Sequence, residues 1–270
     1  MTADYIVLGP VELALAAGLV VLTGLLALVL RLGVAGRLFI AAVRATAQLA
    51  VMALVLKALF EMASPWLTAL AVAVMLGFAG REAAARQGHK FAGWWTLGLG
   101  TSAMTVAGLL VTLFALTAQI KADPWYDPAY ALPLLGMILG NAMNGVSLAL
   151  DRLSGEVIRE RPAIEARLAL GHDRWQALAG PVRAAAGAGL IPVVNAMSAM
   201  GLVFIPGMMT GQLLAGVPPT QAVRYQLMIV FLIAAGTALG VLAVTLAAAA
   251  RLTDGRHRLR LDRLRGDTGV

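Results

Sequence analysis

Polar and thioether side chains stand inside long apolar stretches of this 270-residue sequence. If those stretches cross a membrane, such side chains are the usual markers of a translocation path. The last three stretches carry amides and methionines but no carboxylate, so a hard-cation site built of acids is not visible there. Thioethers suit copper(I) better than iron, although methionine also fills irregular gaps between helices. The candidate path residues are Arg44, Gln48, Asn141, Asn144, Asn195, Met208, Met209 and Gln212.

Four of these candidates have informative positions. Met208 and Met209 follow a Pro-Gly pair, where an interrupted helix could expose backbone carbonyls to a cavity. Arg44 and Gln48 lie one turn apart on one helix face. Arg44 could attract an anionic substrate or pair with Glu12, or its long side chain could reach the headgroup region. The sequence leaves these interpretations of Arg44 open.

A different chemistry is carried by residues 151–183, which we term the charged segment. It holds six arginines and five acids between two apolar stretches, and this mixed charge suits a protein contact better than a lipid-facing anchor. Pro162 is well placed as the first residue of a helix, and Gly171 supplies a left-handed stop. We therefore expect a short helix at 162–170, shaped to fit a groove on another protein.

A second short helix is expected directly after the first. Asp173 can cap a helix at 174–179 by accepting hydrogen bonds from its first backbone amides. Gly180 and Pro181 should end or kink this helix before the chain re-enters the apolar region.

The composition is that of an integral membrane protein. The chain is 60% hydrophobic and only 13% charged, with a mean hydropathy of +0.83, which is far from the balance of a soluble domain. A bilayer crossing takes about 20 apolar residues of helix, so we expect an all-α polytopic membrane protein with about seven transmembrane helices. The spans are expected at residues 11–30, 39–59, 66–80, 94–118, 130–150, 184–214 and 226–250, the third being short and the sixth interrupted by Pro192 and Pro206.

The arginines and lysines set the expected orientation. They concentrate near residues 31–37 and 81–90, in the charged segment and in the tail, whereas the alternate loops are acidic or weakly basic. An N-terminus outside and a C-terminus inside place all four basic regions in the cytosol. We expect a single transmembrane domain at 1–250, including the cytosolic loop 151–183, and a basic cytosolic tail at 251–270. The tail should contact anionic membrane lipids and not nucleic acid.

The sequence offers no enzyme chemistry. The three histidines, His89, His172 and His257, are too scattered for metal-ligand spacing, and their place in loops argues against an intramembrane hydrolase. No Gly-x-x-x-x-Gly-Lys-Ser/Thr loop is present to cradle ATP phosphates. We therefore expect no catalytic residue and no cofactor bound by this chain, while metal ligands are not identifiable.

Residues 165–171, Glu-Ala-Arg-Leu-Ala-Leu-Gly, resemble the EAA loop of ABC-transporter permeases, in which glycine stands six positions after the glutamate. In that superfamily the loop is a coupling helix that enters a cleft of the ATP-binding subunit. The proline expected farther on is displaced to Pro181. Residues 82–88 repeat the Glu-to-Gly spacing, either as a smaller second contact or as an ordinary helix extension. By this resemblance the coupling residues are Pro162, Glu165, Ala166, Arg167, Gly171 and Asp173.

The resemblance widens beyond this loop. Residues 44–49, 132–143, 205–212 and 225–228 are similar to the FetB (YbbM) family of iron-export permeases, whose plant relatives act in aluminium tolerance. The family implies a multi-pass permease subunit of the inner (plasma) membrane that exports a metal ion, iron by resemblance. It also implies a separate FetA-like ATP-binding subunit as the partner, which would carry the ATP and magnesium.

A homodimer is the simplest assembly, because a full ABC unit has two ATPases and two membrane halves. Glycines four residues apart offer faces for close helix contact, with packing inside one chain as the alternative. The pairs are Gly136/Gly140, Gly207/Gly211 and Gly236/Gly240.

Two other functions remain open on the residues alone. An ion-driven secondary transporter would normally carry titratable groups at mid-membrane, and these are scarce in the last three spans. A membrane scaffold could instead use the charged segment to recruit a cytosolic protein. Only a flux measurement separates that scaffold from a permease.

Overall fold

The computed structural model describes residues 9–62 and 64–265 and consists mainly of helices. In chain order they are α1 (Pro10–Val29), α2 (Ala35–Met62), α3 (Pro65–Ala85), α4 (Trp95–Phe114), α5 (Pro128–Arg159), α6 (Arg161–Ala169), α7 (Arg174–Ala199), α8 (Gly207–Leu214) and α9 (Pro219–Arg251). A π-helical turn, Ala115–Ile120, continues α4, and a 3-10 turn, Leu261–Arg263, follows α9. The short strands β1 (Lys90–Phe91) and β2 (Leu264–Arg265) pair antiparallel.

Among the described residues, seven helices are long and apolar enough to cross a membrane. They are α1, α2, α3, α4 with its π-helical turn, α5, α7 and α9. This confirms the predicted all-α polytopic class with seven spans. The helices α6 and α8, of nine and eight residues, are too short to cross a bilayer.

The chain forms two compact units. The first contains the described part of Met1–Ser64, with α1 and α2, together with Leu214–Gly216. In this unit Gly24 permits close contact between the two helices, because a Cβ there would lie 2.3 Å from Cζ of Phe39.

The second unit contains Pro65–Leu213 and the described part of Val217–Val270, and α5 is its central helix. This helix packs against α3, α4, α6, α7 and α9. The backbones of α5 and α7 meet at Gly145 and Gly189, where a Cβ on either residue would lie within 2.8 Å of the other's carbonyl oxygen. One row of fully buried residues on α5 recurs every three or four positions, as in a helix packed along one face: Ala142, Val146, Leu150, Leu153 and Val157.

The loop after α3 and the tail after α9 meet at one end of the second unit. The pairing of β1 with β2 joins them, and the backbone N–H of Ala92 adds a hydrogen bond to the carbonyl of Arg263 at 2.8 Å. Leu252 is fully buried, and Leu261 and Leu264 are nearly so. The described tail therefore packs onto the unit, while the division into a domain at 1–250 and a tail at 251–270 stays a prediction.

The predicted sixth span, 184–214, is wrong at both ends. The helix α7 begins at Arg174 and ends at Ala199, and residues 200–206 are not helical. The predicted helix at 174–179 is the first part of α7, because Gly180 and Pro181 do not end it. Buried residues on both sides of this proline hold the helix against its neighbours: Ala177, Leu178 and Ala185.

The third and fifth spans also run beyond their predicted ends. The helix α3 continues to Ala85 instead of residue 80, and α5 continues to Arg159 instead of residue 150. Glu82 of the repeated Glu-to-Gly spacing therefore lies in an extension of α3. A second contact with another protein at residues 82–88 stays a prediction.

Candidate functional site

The helix α6 is anchored on one side and open on the other. It begins and ends one residue before the predicted 162–170. Ile164 is fully buried and ties α6 to the core, whereas Glu165 on the next position is exposed. Nine residues of helix are about 13 Å long, a size suited to a groove on another protein. Apart from Glu165, the exposed residues of α6 and its cap are small or apolar: Pro162, Ala163, Ala166, Ala169 and Leu170.

The turn between α6 and α7 has the predicted geometry. Gly171 has a φ of +91°, a left-handed conformation that glycine adopts without strain. Oδ1 of Asp173 accepts hydrogen bonds from the backbone N–H groups of Trp175 and Gln176 at 2.7 and 2.8 Å. The Gln176 side chain in turn accepts from the backbone N–H of Asp173 at 3.1 Å. This capping box fixes where α7 begins.

Arg167 connects α6 to α7 at a proline. Pro181 has no N–H, so the carbonyl of Ala177 four residues earlier loses its usual helical donor. Nη1 of Arg167 donates to this carbonyl at 3.1 Å, and a charged donor makes a strong hydrogen bond. The hydrogen bonding of α7 at this place therefore depends on α6.

Much of the charge in this region is neutralised within the chain. Nε of Arg161 donates to Oε1 of Glu165 at 2.9 Å. Glu156 is almost fully buried, pairs with Nη2 of Arg152 at 2.7 Å and also accepts a hydrogen bond from Arg159. The open side of α6 is accordingly apolar more than it is charged.

Two further segments contact the charged segment. The backbone N–H of Gly88 donates to Oδ1 of Asp151 at 2.8 Å, and the backbone N–H of Arg174 donates to Nδ1 of His257 at 3.1 Å. The partners of each pair are 63 and 83 positions apart. Sequence reasoning missed both contacts, because no local pattern signals a pairing over such separations.

Asp254 organises the tail near this surface. Its carboxylate accepts from the backbone N–H groups of Arg256 and Arg258, both at 2.9 Å, and from Nε of Arg258 at 2.9 Å. These bonds, led by that of the Arg258 backbone, lower the pKa of Asp254 from 3.8 to about 2. A depressed folded pKa means that the stabilising effect is present above the ordinary pKa and is lost as the pH falls toward 2.

The asparagines of α5 and α7 lie on exposed helix surfaces. Relative to the crossing of Gly145 and Gly189, Asn141 is about 6 Å and Asn195 about 9 Å farther toward the same end, because the two helices are antiparallel. Oδ1 of Asn144 accepts from Nη1 of Arg86 at 2.6 Å. The three amides therefore lie within about 8 Å of one another along the helix axes, and Nδ2 of Asn141 donates to the carbonyl of Met137 in its own helix at 2.9 Å.

The other candidate path residues stand elsewhere. Met208, Met209 and Gln212 are half-buried on α8, which follows the non-helical residues 200–206. Arg44 and Gln48 are exposed on α2 in the first unit. Within residues 9–62 and 64–265, no group of three or more His, Asp or Glu side chains is arranged to hold a metal ion. The assignment of all eight residues to one path stays a prediction.

The chain was compared with known proteins and families. The model of an uncharacterised protein family, UPF0014, matches residues 10–253. A UPF0014 membrane protein of Synechocystis sp. is 41% identical over 217 residues, which cover 79% of this chain and 82% of that protein. No solved structure is significantly similar to the chain.

Two relatives carry informative names. The probable iron export permease protein FetB of Escherichia coli is 34% identical over 164 residues, covering 60% of this chain and 62% of the relative. The protein ALUMINUM SENSITIVE 3 of Arabidopsis thaliana is 30% identical over 221 residues, covering 82% of this chain and 79% of the relative.

Proposed function

Because this chain belongs to the UPF0014 family, we propose that it is the membrane-spanning permease subunit of an ABC transporter. The observation that carries this proposal is the geometry of α6. Its apolar side is open, and Arg167 bonds it to the carbonyl that Pro181 leaves without a donor in α7. A partner that pushes on α6 moves a membrane-spanning helix.

The partner is a separate ABC ATP-binding subunit, FetA-like, which carries ATP and magnesium. The sequence contains no Walker-type phosphate loop of its own, so ATP hydrolysis belongs to that subunit and this chain is a transport subunit. Pro162, Glu165, Ala166, Arg167 and Gly171 form the coupling contact, with Asp173 fixing the start of α7.

The proposed orientation of the protein in the membrane rests on the positions of its basic segments. The loop after α3, the charged segment and the tail, all of which contain basic residues, meet at one end of the second unit. Basic segments favour the cytosolic side. We assign this end to the cytosol and the protein to the inner (plasma) membrane.

The transporter contains two copies of this chain. Gly236 and Gly240 are used inside the chain, since a Cβ at Gly236 would lie 2.6 Å from Cγ2 of Ile138, and one at Gly240 would lie 3.5 Å from Cγ2 of Val146. Gly140 instead faces open space beside the exposed Asn141. This glycine supports close approach of a second α5, which would also cover the amide.

The substrate is a metal ion, and iron is the first candidate because the Escherichia coli relative is named for iron export. Export is proposed on the same ground. Asn141, Asn144 and Asn195 lie within about 8 Å of one another along the axes of α5 and α7 and supply neutral amide groups for the path.

The proposal is tested by co-purification with an ABC ATP-binding subunit encoded in the same genome. Ala166→Glu places a charge on the open side of α6, whereas Ala179→Glu places the same charge on an exposed alanine of α7. We expect Ala166→Glu to lower co-purification and ATPase stimulation at least tenfold, and Ala179→Glu to leave both close to wild type. Equal behaviour of the two variants, each eluting as a folded protein on size exclusion, would exclude α6 as the contact.

A further inference from the structure

A cavity of about 280 Å³ opens between α3, the end of α4 and the start of α5. Val72, Leu109 and Leu135 form part of its apolar wall. The lining residues of α5 lie at the beginning of that helix, whereas the charged segment begins in its last turns. The cavity is therefore at the opposite end of the second unit from the proposed coupling surface.

Thr112 gives this apolar cavity a polar group. The residue is 5% exposed and lines the cavity. Its hydroxyl makes no hydrogen bond within the part of the chain that the structure describes. A buried hydroxyl without a partner destabilises a fold. We therefore expect the Thr112 hydroxyl to donate to an acceptor on a bound molecule.

The backbone beside Thr112 is also unusual. The helix changes there into the π-helical turn Ala115–Ile120, a rare form that is frequent at functional sites. Leu116 of this turn lines the cavity. The lining residues of α4 and the turn, from Leu109 to Leu116, cover about 10 Å along the helix axis.

An aromatic pair completes the lining. The rings of Trp125 and Tyr126 are 5.8 Å apart at an interplanar angle of 88°, and Trp125 is half exposed. Both residue types favour the headgroup level of a membrane. The cavity thus runs from the headgroup level into the hydrocarbon region.

We propose that this cavity binds one lipid acyl chain, whose ester or carboxyl oxygen accepts a hydrogen bond from the Thr112 hydroxyl. Its volume of about 280 Å³ is just below the range for ligand pockets, roughly 300 to 1,000 Å³, and suits a segment of an acyl chain better than a ring system. Its apolar wall suits a hydrocarbon. The assignment is independent of the proposed transport function.

Fluorescence quenching of Trp125 tests this site in the full chain. The purified protein in mixed micelles is titrated with a phospholipid brominated on its acyl chain, and the signal of a Trp125→Phe variant is subtracted. We expect saturable quenching in wild type. Thr112→Val keeps the shape of the side chain and should raise the half-saturating lipid fraction about fivefold, the loss expected for one hydrogen bond.

A matched pair of variants separates filling of the cavity from a general surface effect. Ala69→Phe adds a ring to an exposed residue that lines the cavity, whereas Leu70→Phe adds one to the adjacent exposed residue outside it. We expect Ala69→Phe to remove saturable quenching and Leu70→Phe to preserve it. Equal quenching in both variants, or none in wild type, would overturn the proposal.

A second titration shows whether the bound acyl chain belongs to a phospholipid or to a free fatty acid. The same titration is repeated with a brominated free fatty acid, and its half-saturating mole fraction is compared with that of the phospholipid. A lower value assigns the site to a free fatty acid and a higher value to a phospholipid. Either order supports an acyl-chain site, whereas linear quenching by both compounds contradicts it.

Discussion

Arg167 shows how a single residue can join the short helix α6 to a membrane span. Its guanidinium takes the place of the N–H that Pro181 lacks, so the carbonyl of Ala177 keeps a donor. The same arginine stands in the Glu-Ala-Arg motif of the charged segment. The residue that resembles part of the coupling motif is thus also a structural support of α7.

This role predicts a specific rescue. Arg167→Ala should cost about 1–3 kcal/mol, because a buried carbonyl loses its donor. In a Pro181→Ala background the restored N–H serves that carbonyl, so Arg167→Ala should cost much less. Thermal unfolding in detergent of wild type, both single variants and the double variant measures the interaction. The same loss in both backgrounds would show that Arg167 does not support α7 in this way.

In the same set of variants, the effect on transport should differ from the effect on stability. The double variant regains stability but lacks the bond between α6 and α7, so its ATP-driven flux should remain below that of Pro181→Ala alone. Full flux in the stable double variant would mean that the coupling runs through other contacts of α6.

Local residue chemistry was predictable, and partners distant in the sequence were not. Gly171 and Asp173 were identified correctly, because a left-handed stop and a helix cap depend on neighbouring residues only. The bond between Arg167 and Ala177 depends on the placement of two helices. No pattern in the sequence reports that placement.

At the scale of helices, the contact between α5 and α7 is made by glycine. Gly145 and Gly189 allow the two backbones to touch, and the exposed asparagines all lie toward the same end of the helices from this crossing. The spans themselves were predictable from hydropathy. The bounds of the sixth were not, because packing around Pro181 kept a helix that proline alone would be expected to end.

The close contact of α5 and α7 at Gly145 and Gly189 predicts that alanine substitution has different effects on stability at two glycines of α7. Gly189→Ala should destabilise by about 1–3 kcal/mol, as overpacking in a tight interface does, since its Cβ would lie 2.7 Å from a backbone oxygen. Gly187→Ala faces open space and should not destabilise. Thermal unfolding in detergent compares the two, and equal stabilities would contradict the crossing.

At the scale of the molecule, the second unit has two chemically different ends. One end brings together the charged segment, the loop after α3 and the tail. The other carries the aromatic pair and the apolar cavity. The basic residues at the first end fit the proposed contact with an ATP-binding subunit, and the apolar cavity at the second end fits the proposed lipid site.

The proposed dimer also concerns the molecule as a whole. Gly140 and Asn141 stand together on the exposed side of α5, so one copy leaves an amide uncovered in the membrane. Sequence reasoning proposed three glycine pairs for such contact but could not rank them, because a glycine spacing is the same whether the neighbouring helix lies in the same chain or in another.

The most direct test is iron flux in proteoliposomes that contain this chain and its ABC ATP-binding subunit. We predict flux that requires ATP and both proteins, that falls at least tenfold with Ala166→Glu, and that persists with Ala179→Glu. Iron flux by this chain alone, driven by an ion gradient, would contradict the account and identify a secondary transporter.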